Sequence, residues 1–194
     1  VPTMVAATEV VSVGIGDNVV VQGLGLLGLY GVALARAKGA RMIVGLESVQ
    51  SRLEMAKAFG ADQVFDVSKM SADDLVSAVR DVCSPDGADV VIEACGDPAA
   101  IPQGINMLRA RGRYVITGTV FPNANVTLDA NRILNRMVMV TGVHNYHPRH
   151  LVTALDFVDR YRSTYPLKQL VGAKFDLADI DMAFNSAAER TAVR

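Results

Sequence analysis

The chain has 194 residues, of which 51% are hydrophobic, so it can bury one sizeable core. Its formal net charge is −1, tryptophan is absent and only 6% of the residues are aromatic, which argues against binding to nucleic acid or to a membrane surface. Cys83 and Cys95 form no C-x-x-C pair, so the sequence offers neither a disulfide framework nor a cysteine-rich zinc site and, with no signal-peptide pattern, predicts a cytoplasmic protein.

Six short runs rich in β-branched residues recur along the chain, and helical patterns separate them. The runs are Asn18–Gln22, Arg41–Gly45, Gln63–Val67, Asp89–Ala94, Arg113–Gly118 and Met137–Gly142. They are mostly apolar without strict alternation, which is typical of strands that are covered on both faces of a parallel sheet.

Predicted helices occupy the segments between these runs. In chain order, they begin at Leu26, Ser48, Ser71, Asp97-Pro98, Pro148 and Asp176. Ser and Asp side chains accept hydrogen bonds from the free N–H groups of a first helical turn, and Pro is favoured at its first position. The first helix runs to Lys38, the second ends at Phe59 and the last at about Ala188. The alternation predicts an α/β fold, a Rossmann-type doubly wound six-stranded parallel sheet with helices on both faces and strand order 3-2-1-4-5-6.

The stretch Val19–Ala40 carries three glycines in the spacing G-x-G-x-x-G, between the first predicted strand and the first predicted helix. Gly23 lets the chain turn off the strand, Gly25 lets a diphosphate approach the backbone, and Gly28 lets the helix pack close to the strand. Free N–H groups at the helix start and the positive end of the helix dipole attract phosphate oxygens. The loop therefore predicts a dinucleotide site, and a tight turn without a ligand is the alternative.

An acidic residue follows the second predicted strand. Glu47 lies 24 residues after Gly23, where a carboxylate accepts hydrogen bonds from both hydroxyls of the adenosine ribose and repels a 2′-phosphate. This pattern favours NAD over NADP. Arg52 complicates the choice, because it can lie along the ribose and adenine or attract a 2′-phosphate. For Glu47 alone, a solvated loop acid is the alternative.

Four segments carry a resemblance to a known family. They are GDNVVVQGLGLLGLYGVALARAKGA, SRLEMAKAFGAD, DGADVVIEACG and RGRYVITG, in this order. Together they resemble the cofactor-binding domain of the medium-chain, zinc-type alcohol dehydrogenases, and the resemblance covers nearly the whole chain. It implies an NAD(P)-binding Rossmann domain over residues 1–194, with residues 1–17 as an inter-domain helix and lead-in. The catalytic domain of that family is expected to be absent from this chain.

The resemblance also implies cofactor contacts beyond Gly23, Gly25, Gly28, Glu47 and Arg52. The additional residues implied to contact the dinucleotide or to line its cleft are Leu26, Leu27, Ala94, Cys95, Gly96, Thr117, Gly118, Thr119, Thr141 and Arg194. The two leucines offer backbone N–H groups to the diphosphate, the segments after the fourth, fifth and sixth strands line the cleft and the nicotinamide, and the arginine reaches the diphosphate. No catalytic residue and no metal ligand is expected within the chain.

These implications predict a parent enzyme that transfers hydride between NAD(H) and an alcohol or carbonyl substrate, with this chain alone inactive. Zinc, held by the missing domain, would polarise the alcohol oxygen. The sixth strand is expected to be an exposed apolar edge through which two chains form a homodimer. The alternative is a stand-alone dinucleotide-binding sensor or partner-binding module without catalysis, and a methyltransferase with an adenosyl cofactor shares the glycine loop.

Three further features remain open at this point. For His144, His147 and His150 the first alternative is a metal-binding tract, which Pro148 argues against. The others are that His144 or Asn145 borders the nicotinamide end of the cleft, or that the segment is a surface loop with His147 near a helix start. Cys95 is interpreted as a small buried filler rather than a reactive thiol, because no basic residue neighbours it in sequence. Glu93 is either a hydrogen-bonding acid at the floor of the cleft or a structural acid.

Overall fold

The computed structural model describes residues 1–188 as one parallel sheet with helices on both faces. The strands are β1 Asn18–Gln22, β2 Met42–Glu47, β3 Gln63–Asp66, β4 Ala88–Glu93, β5 Leu108–Ile116 and β6 Met139–Gly142. The helices are α1 Pro2–Val10, α2 Leu26–Ala37, α3 Gln50–Ala58, α4 Ala72–Val82, α5 Ala100–Met107, α6 Ala130–Arg136, α7 Pro148–Tyr161 and α8 Ile180–Ala188. Within residues 1–188, none of these helices combines the length and the apolar character needed to cross a bilayer.

The sheet has the predicted strand order. All neighbouring strands run parallel, in the order β3-β2-β1-β4-β5-β6. Both β1 and β4 are buried at every residue. Val19 and Val21 of β1 face the apolar core under α1, α2, α3 and α7, whereas Val20 faces the core under α4 and α5. Burial on both faces explains why these runs are apolar without alternation.

The strand order reverses between β1 and β4, and this reversal positions the candidate site. The connection that follows β1 and the connection that follows β4 lead to opposite sides of the sheet, so a crevice opens at the carboxyl ends of these two strands. Gln22 ends β1 and lies in register with Glu93, which ends β4. The segments at 23–28, 47, 94–96 and 117–119 all follow or end strands of the sheet, and parallel strands bring them to one edge.

Two predicted helix starts are wrong, for local reasons. Helix α3 begins at Gln50, because Ser48 donates both its N–H and its hydroxyl to the carboxylate of Glu47 instead of capping the helix. Helix α5 begins at Ala100. The Asp97 carboxylate and carbonyl accept hydrogen bonds in the turn that precedes this helix, so the Asp-Pro pair forms that turn.

A third predicted start also differs, because the short 3-10 turn Leu177–Asp179 follows Asp176 and α8 begins only at Ile180. The starts of α4 and α7 agree with the prediction, and one helix was not predicted. Ser71 caps α4 by accepting the N–H of Asp74 at 3.2 Å, and α7 begins at Pro148. Helix α6 lies between β5 and β6, where the sequence analysis placed no helix. Asp129 caps its start, and Met137 ends it in the left-handed region with φ 51°.

Candidate dinucleotide site

The glycine loop leaves an open surface at the start of α2. Gly25 precedes the helix with φ −68° and ψ −169°, and a Cβ placed on it would have no atom within 4 Å. Leu26 and Leu27 form the first turn, where N–H groups have no carbonyl of their own helix to bond. The positive end of the helix therefore faces open space, which is the arrangement that binds anions.

Gly23 and Gly28 are required by packing. Gly23 has φ +86°, in the left-handed region, and its N–H donates to the carbonyl of Leu46 at 2.8 Å. A Cβ on Gly23 would lie 2.6 Å from the Cβ of Cys95, and one on Gly28 would lie 1.8 Å from the Gly23 carbonyl oxygen. The sharp turn and the close helix approach predicted for these positions are both present.

Glu47 ends β2 and turns its side chain toward the glycine loop. Oε2 accepts the N–H of Leu24 at 3.0 Å, and Oε1 accepts the N–H groups of Ser48 at 2.8 Å and Val49 at 3.3 Å. The Nη1 atom of Arg52 lies 3.5 Å from Oε2. Burial alone would raise the pKa of this carboxyl, but the N–H donors and Arg52 outweigh burial and lower the pKa below its ordinary value. Glu47 is therefore an ionised group in the cleft at neutral pH.

One cleft joins these groups. It has a volume of about 630 Å³, within the range of small-molecule sites, and its lining includes Gly23, Glu47, Ser48, Cys95 and Gly96. The structure thus brings together segments that follow β1, β2 and β4.

Cys95 is exposed, which contradicts its interpretation as a buried filler. It follows β4 at the switch point, where its backbone lies close to Gly23, and its side chain lines the cleft. The pKa of the Cys95 thiol is raised to about 12, mainly because the sulfur is partly buried. The Glu93 carboxylate, 3.5 Å from Sγ, raises this pKa further. Cys95 is therefore a protonated hydrogen-bond donor rather than a reactive thiolate.

A second cleft lies at the carboxyl ends of β5 and β6. Its lining includes Thr117, Thr119 and His144. His144 therefore borders a cleft, as one interpretation of the histidine tract expects. Thr141 is partly buried within β6, one residue before a lining glycine. Arg194 lies outside the described residues.

The other two histidines serve the start of α7. The ring of His147 accepts the N–H of Arg149 at 3.3 Å, and the ring of His150 accepts the N–H of His147 at 3.1 Å. Nε2 of His150 lies 3.1 Å from Oε2 of Glu9 on α1. Across residues 1–188, no group of three or more His, Cys, Asp or Glu side chains is placed to hold a metal ion.

Of the two roles that the sequence left open, the structure shows the structural acid: Glu93 accepts hydrogen bonds but lines neither of the two clefts described above. It is fully buried at the end of β4, and its carboxylate bonds the segments that follow β4 and β5. The sequence signal was an acid within an otherwise apolar run, followed at once by small residues. That signal indicates a special role but not its partners, because the second segment lies more than twenty residues further along the chain.

Comparisons with known proteins agree with this geometry. Residues 27–160 match the family model of the zinc-binding dehydrogenases. The 5-exo-hydroxycamphor dehydrogenase of Pseudomonas putida is 30% identical over 171 residues, which cover 88% of this chain and 47% of that protein. The structure of an alcohol dehydrogenase from Thermotoga maritima superposes with a TM-score of 0.91 at 27% identity, covering 99% of this chain and 52% of that one.

A third similar protein is a structure from Sinorhizobium meliloti, described as a zinc-binding dehydrogenase bound to NADP. It superposes with a TM-score of 0.74 at 26% identity and covers 82% of this chain and 47% of that one. The chain thus spans about half the length of the relatives it matches.

Proposed function

Because this chain belongs to the zinc-binding dehydrogenase family, we propose that it forms the NAD(H)-binding domain of an alcohol dehydrogenase. The observation that carries the proposal is the proximity of the open N-terminus of α2 to the ionised carboxylate of Glu47. A helix end that attracts phosphate and an acid that accepts from ribose hydroxyls then lie side by side. Together the two groups suit the diphosphate and the ribose of an adenosine diphosphate.

The diphosphate is proposed to bind at the glycine loop. Gly25 leaves the space, and the N–H groups of Leu26 and Leu27 donate to the phosphate oxygens. Gly23 and Gly28 hold the loop in the shape that exposes these groups. Arg194, which lies outside the described residues, is proposed as a further cation for the diphosphate.

The adenosine ribose is proposed to bind against Glu47, and this favours NAD. To accept from both ribose hydroxyls, the carboxylate would exchange two of its three longer contacts, namely the side chains of Ser48 at 3.3 Å and Arg52 at 3.5 Å, and would keep the backbone N–H of Val49 at 3.3 Å. A 2′-phosphate would meet the negative charge of Glu47. NADP is the alternative, because Arg52 lies beside the same carboxylate and the Sinorhizobium meliloti relative was solved with NADP.

The nicotinamide half is proposed to lie beyond the switch point, over the ends of β4, β5 and β6. A doubly wound sheet has two mononucleotide-binding halves, and Glu47 assigns the adenosine to the first of them. The proposed lining of the second half is Ala94, Cys95, Gly96, Thr117, Gly118, Thr119 and Thr141. All of these lie at or near the carboxyl ends of their strands.

The proposed reaction of the whole enzyme is hydride transfer between NAD(H) and an alcohol or carbonyl substrate. Residues 1–194 bind and orient the dinucleotide as one domain, and residues 1–17 connect it to a catalytic domain that holds the zinc. One observation supports this division: the chain spans about half the length of its relatives. The open edge of β6 supports a homodimer.

Calorimetric titration of the 194-residue chain with NADH and NADPH tests the proposal. We expect NADH to bind more tightly than NADPH. Glu47→Ala should lower the affinity for NADH by about tenfold, because it removes a charged hydrogen-bond acceptor, and it should reduce the difference in affinity between NADH and NADPH. Glu54→Ala, the same change on the exposed surface of α3, is the matched control and should bind as the unmodified chain does. The proposal is wrong if the folded chain binds neither dinucleotide, or if Glu47→Ala binds NADH unchanged.

A further inference from the structure

Glu93 occupies the switch point of the sheet. It is the last residue of β4, in register with Gln22 of β1 on one side and Ile116 of β5 on the other. Its exposed fraction is 0%. A carboxylate buried this deeply is costly unless hydrogen bonds compensate for its lost hydration, so its partners indicate why it is there.

The two carboxylate oxygens divide their partners between two segments of chain. Oε1 accepts the N–H of Gly96 at 2.6 Å and lies 3.5 Å from the sulfur of Cys95, both in the segment after β4. Oε2 accepts the N–H of Gly118 at 2.9 Å and the hydroxyl of Thr119 at 3.3 Å, both in the segment after β5. One side chain therefore clamps the two segments together.

The two glycines are needed for this clamp. A Cβ on Gly118 would lie 2.6 Å from Oε1 of Glu93 and equally close to the backbone nitrogen of Gly96. A Cβ on Gly96 would lie 2.9 Å from the carbonyl oxygen of Gly118. The segments approach so closely that any side chain at either position would separate the carboxylate from its donors.

We propose that Glu93 is a positioning residue that holds the segments after β4 and β5 in the shape that receives the nicotinamide half of the dinucleotide. This inference rests on the proposed function. The clamped residues Cys95, Gly96, Gly118 and Thr119 all belong to the proposed lining of that half. Within residues 1–188, the Glu93 carboxylate makes no hydrogen bond to the glycine loop or to Glu47. Cys95 and Gly96 also line the cleft beside Glu47, so we expect the adenosine end to depend on Glu93 less than the nicotinamide end does.

The substitution Glu93→Gln tests the clamp with almost no change in shape. The amide places an NH₂ where one oxygen was, so either the Gly96 N–H or the Gly118 N–H faces a donor and loses its acceptor. We expect affinity for NADH to fall about tenfold, as for the loss of a hydrogen bond to a charged group. Affinity for ADP, which lacks the nicotinamide half, should stay within about twofold of the unmodified chain. The emission of bound NADH, which reports the surroundings of the nicotinamide, should shift toward that of the free form.

If Glu93 only stabilised the fold, its substitution would lower the affinities for NADH and for ADP by the same factor. The ratio of the two affinities therefore distinguishes a positioning role from a structural one. Asp89→Asn is the matched control, because Asp89 is a buried acid at the opposite end of the same strand, bonded to Asn18 and Arg109. It should lower stability without changing the ratio. If Glu93→Gln does not fold, Thr119→Val is measured instead and should lower the ratio about threefold, whereas Thr119→Ser should restore it.

The outcomes separate the two proposals. If the unmodified chain binds neither NADH nor ADP, the proposed function fails and the inference fails with it. If the unmodified chain binds both ligands but Glu93→Gln, or Thr119→Val in its place, leaves the ratio unchanged, only the positioning role is overturned.

Discussion

Gly25 and Gly28 are three residues apart, yet a methyl group added to each would meet very different surroundings. At Gly25 there is no atom within 4 Å of the added carbon, whereas at Gly28 the Gly23 carbonyl oxygen would lie at 1.8 Å. The motif therefore combines one glycine that serves the ligand with one that serves the fold. The place of each glycine within G-x-G-x-x-G predicted this division of roles, and the contacts at Gly28 agree with it.

The two roles predict opposite outcomes for two alanine substitutions. Gly25→Ala should change the free energy of unfolding by no more than about 1 kcal/mol, because the backbone angles at this position suit alanine. It should nevertheless lower the affinity for NADH, because the added methyl group occupies the space proposed for the diphosphate. Gly28→Ala should lower the free energy of unfolding by about 3 kcal/mol or more, because the helix must move off the strand. Urea unfolding and NADH titration of both variants provide the measurements. Equal stability losses would contradict the assignment.

Glu47 predicts a pH dependence of stability. Its pKa in the folded chain lies below the ordinary value of 4.5, so the folded state binds its proton less readily than the unfolded state does. The stabilisation is fully present above the unfolded pKa and is lost as the pH falls through the folded pKa. Glu47→Gln should therefore be less stable than the unmodified chain at pH about 7, and the gap should shrink as the pH falls below about 4.5. Urea unfolding across this range is the test, and a gap that does not change with pH would contradict it.

At the scale of elements, α6 ends in an unfavourable way. Met137 terminates the helix with φ 51°, a conformation that favours glycine, and its side chain is 57% exposed. Met137→Gly should raise the free energy of unfolding by about 0.5–1 kcal/mol, because it removes the strain and loses little packing. Leu134→Gly, inside the same helix, is the matched control and should lower it by about 1 kcal/mol. Thermal unfolding of both variants measures the effect, and a destabilising Met137→Gly would count against the strain.

The same helix shows how far the elements could be predicted from sequence. The starts of α4 and α7 were placed correctly, because Ser71 and Pro148 directly precede their first turns. The same kinds of signal at Ser48 and Asp97-Pro98 misplaced the starts of α3 and α5. Helix α6 has seven residues and ends without glycine, so neither its length nor its end gave a signal. In β5, the register shifts between the pairs Ala88–Leu108 and Val90–Arg113, and only the second part of that strand was predicted. Such an irregularity depends on a partner strand that local sequence does not reveal.

For the whole molecule, the strand order was predictable because each apolar run and each crossover constrains the next. The position of the cleft followed from that order, and so did the convergence of the glycine loop and Glu47. The exposure of Cys95 and the clamp made by Glu93 did not follow, because both depend on how the segments after β1, β4 and β5 pack against one another. Contacts between segments that are distant in the chain are not encoded in any local pattern.

The strand order also leaves β6 at one edge of the sheet, where it pairs only with β5 within the described residues. Met139 in this strand is 41% exposed, and an apolar edge with unpaired backbone groups favours pairing with a second copy. We expect the chain to self-associate at about 100 µM by light scattering, and Met139→Lys to shift it toward monomer, because a charge on the edge disfavours strand pairing. Leu134→Lys, on α6 outside the strand and 74% exposed, is the matched control for added charge and should leave the association unchanged. The prediction that β6 forms the contact is wrong if the chain is a monomer at that concentration, or if the two lysine substitutions reduce self-association equally.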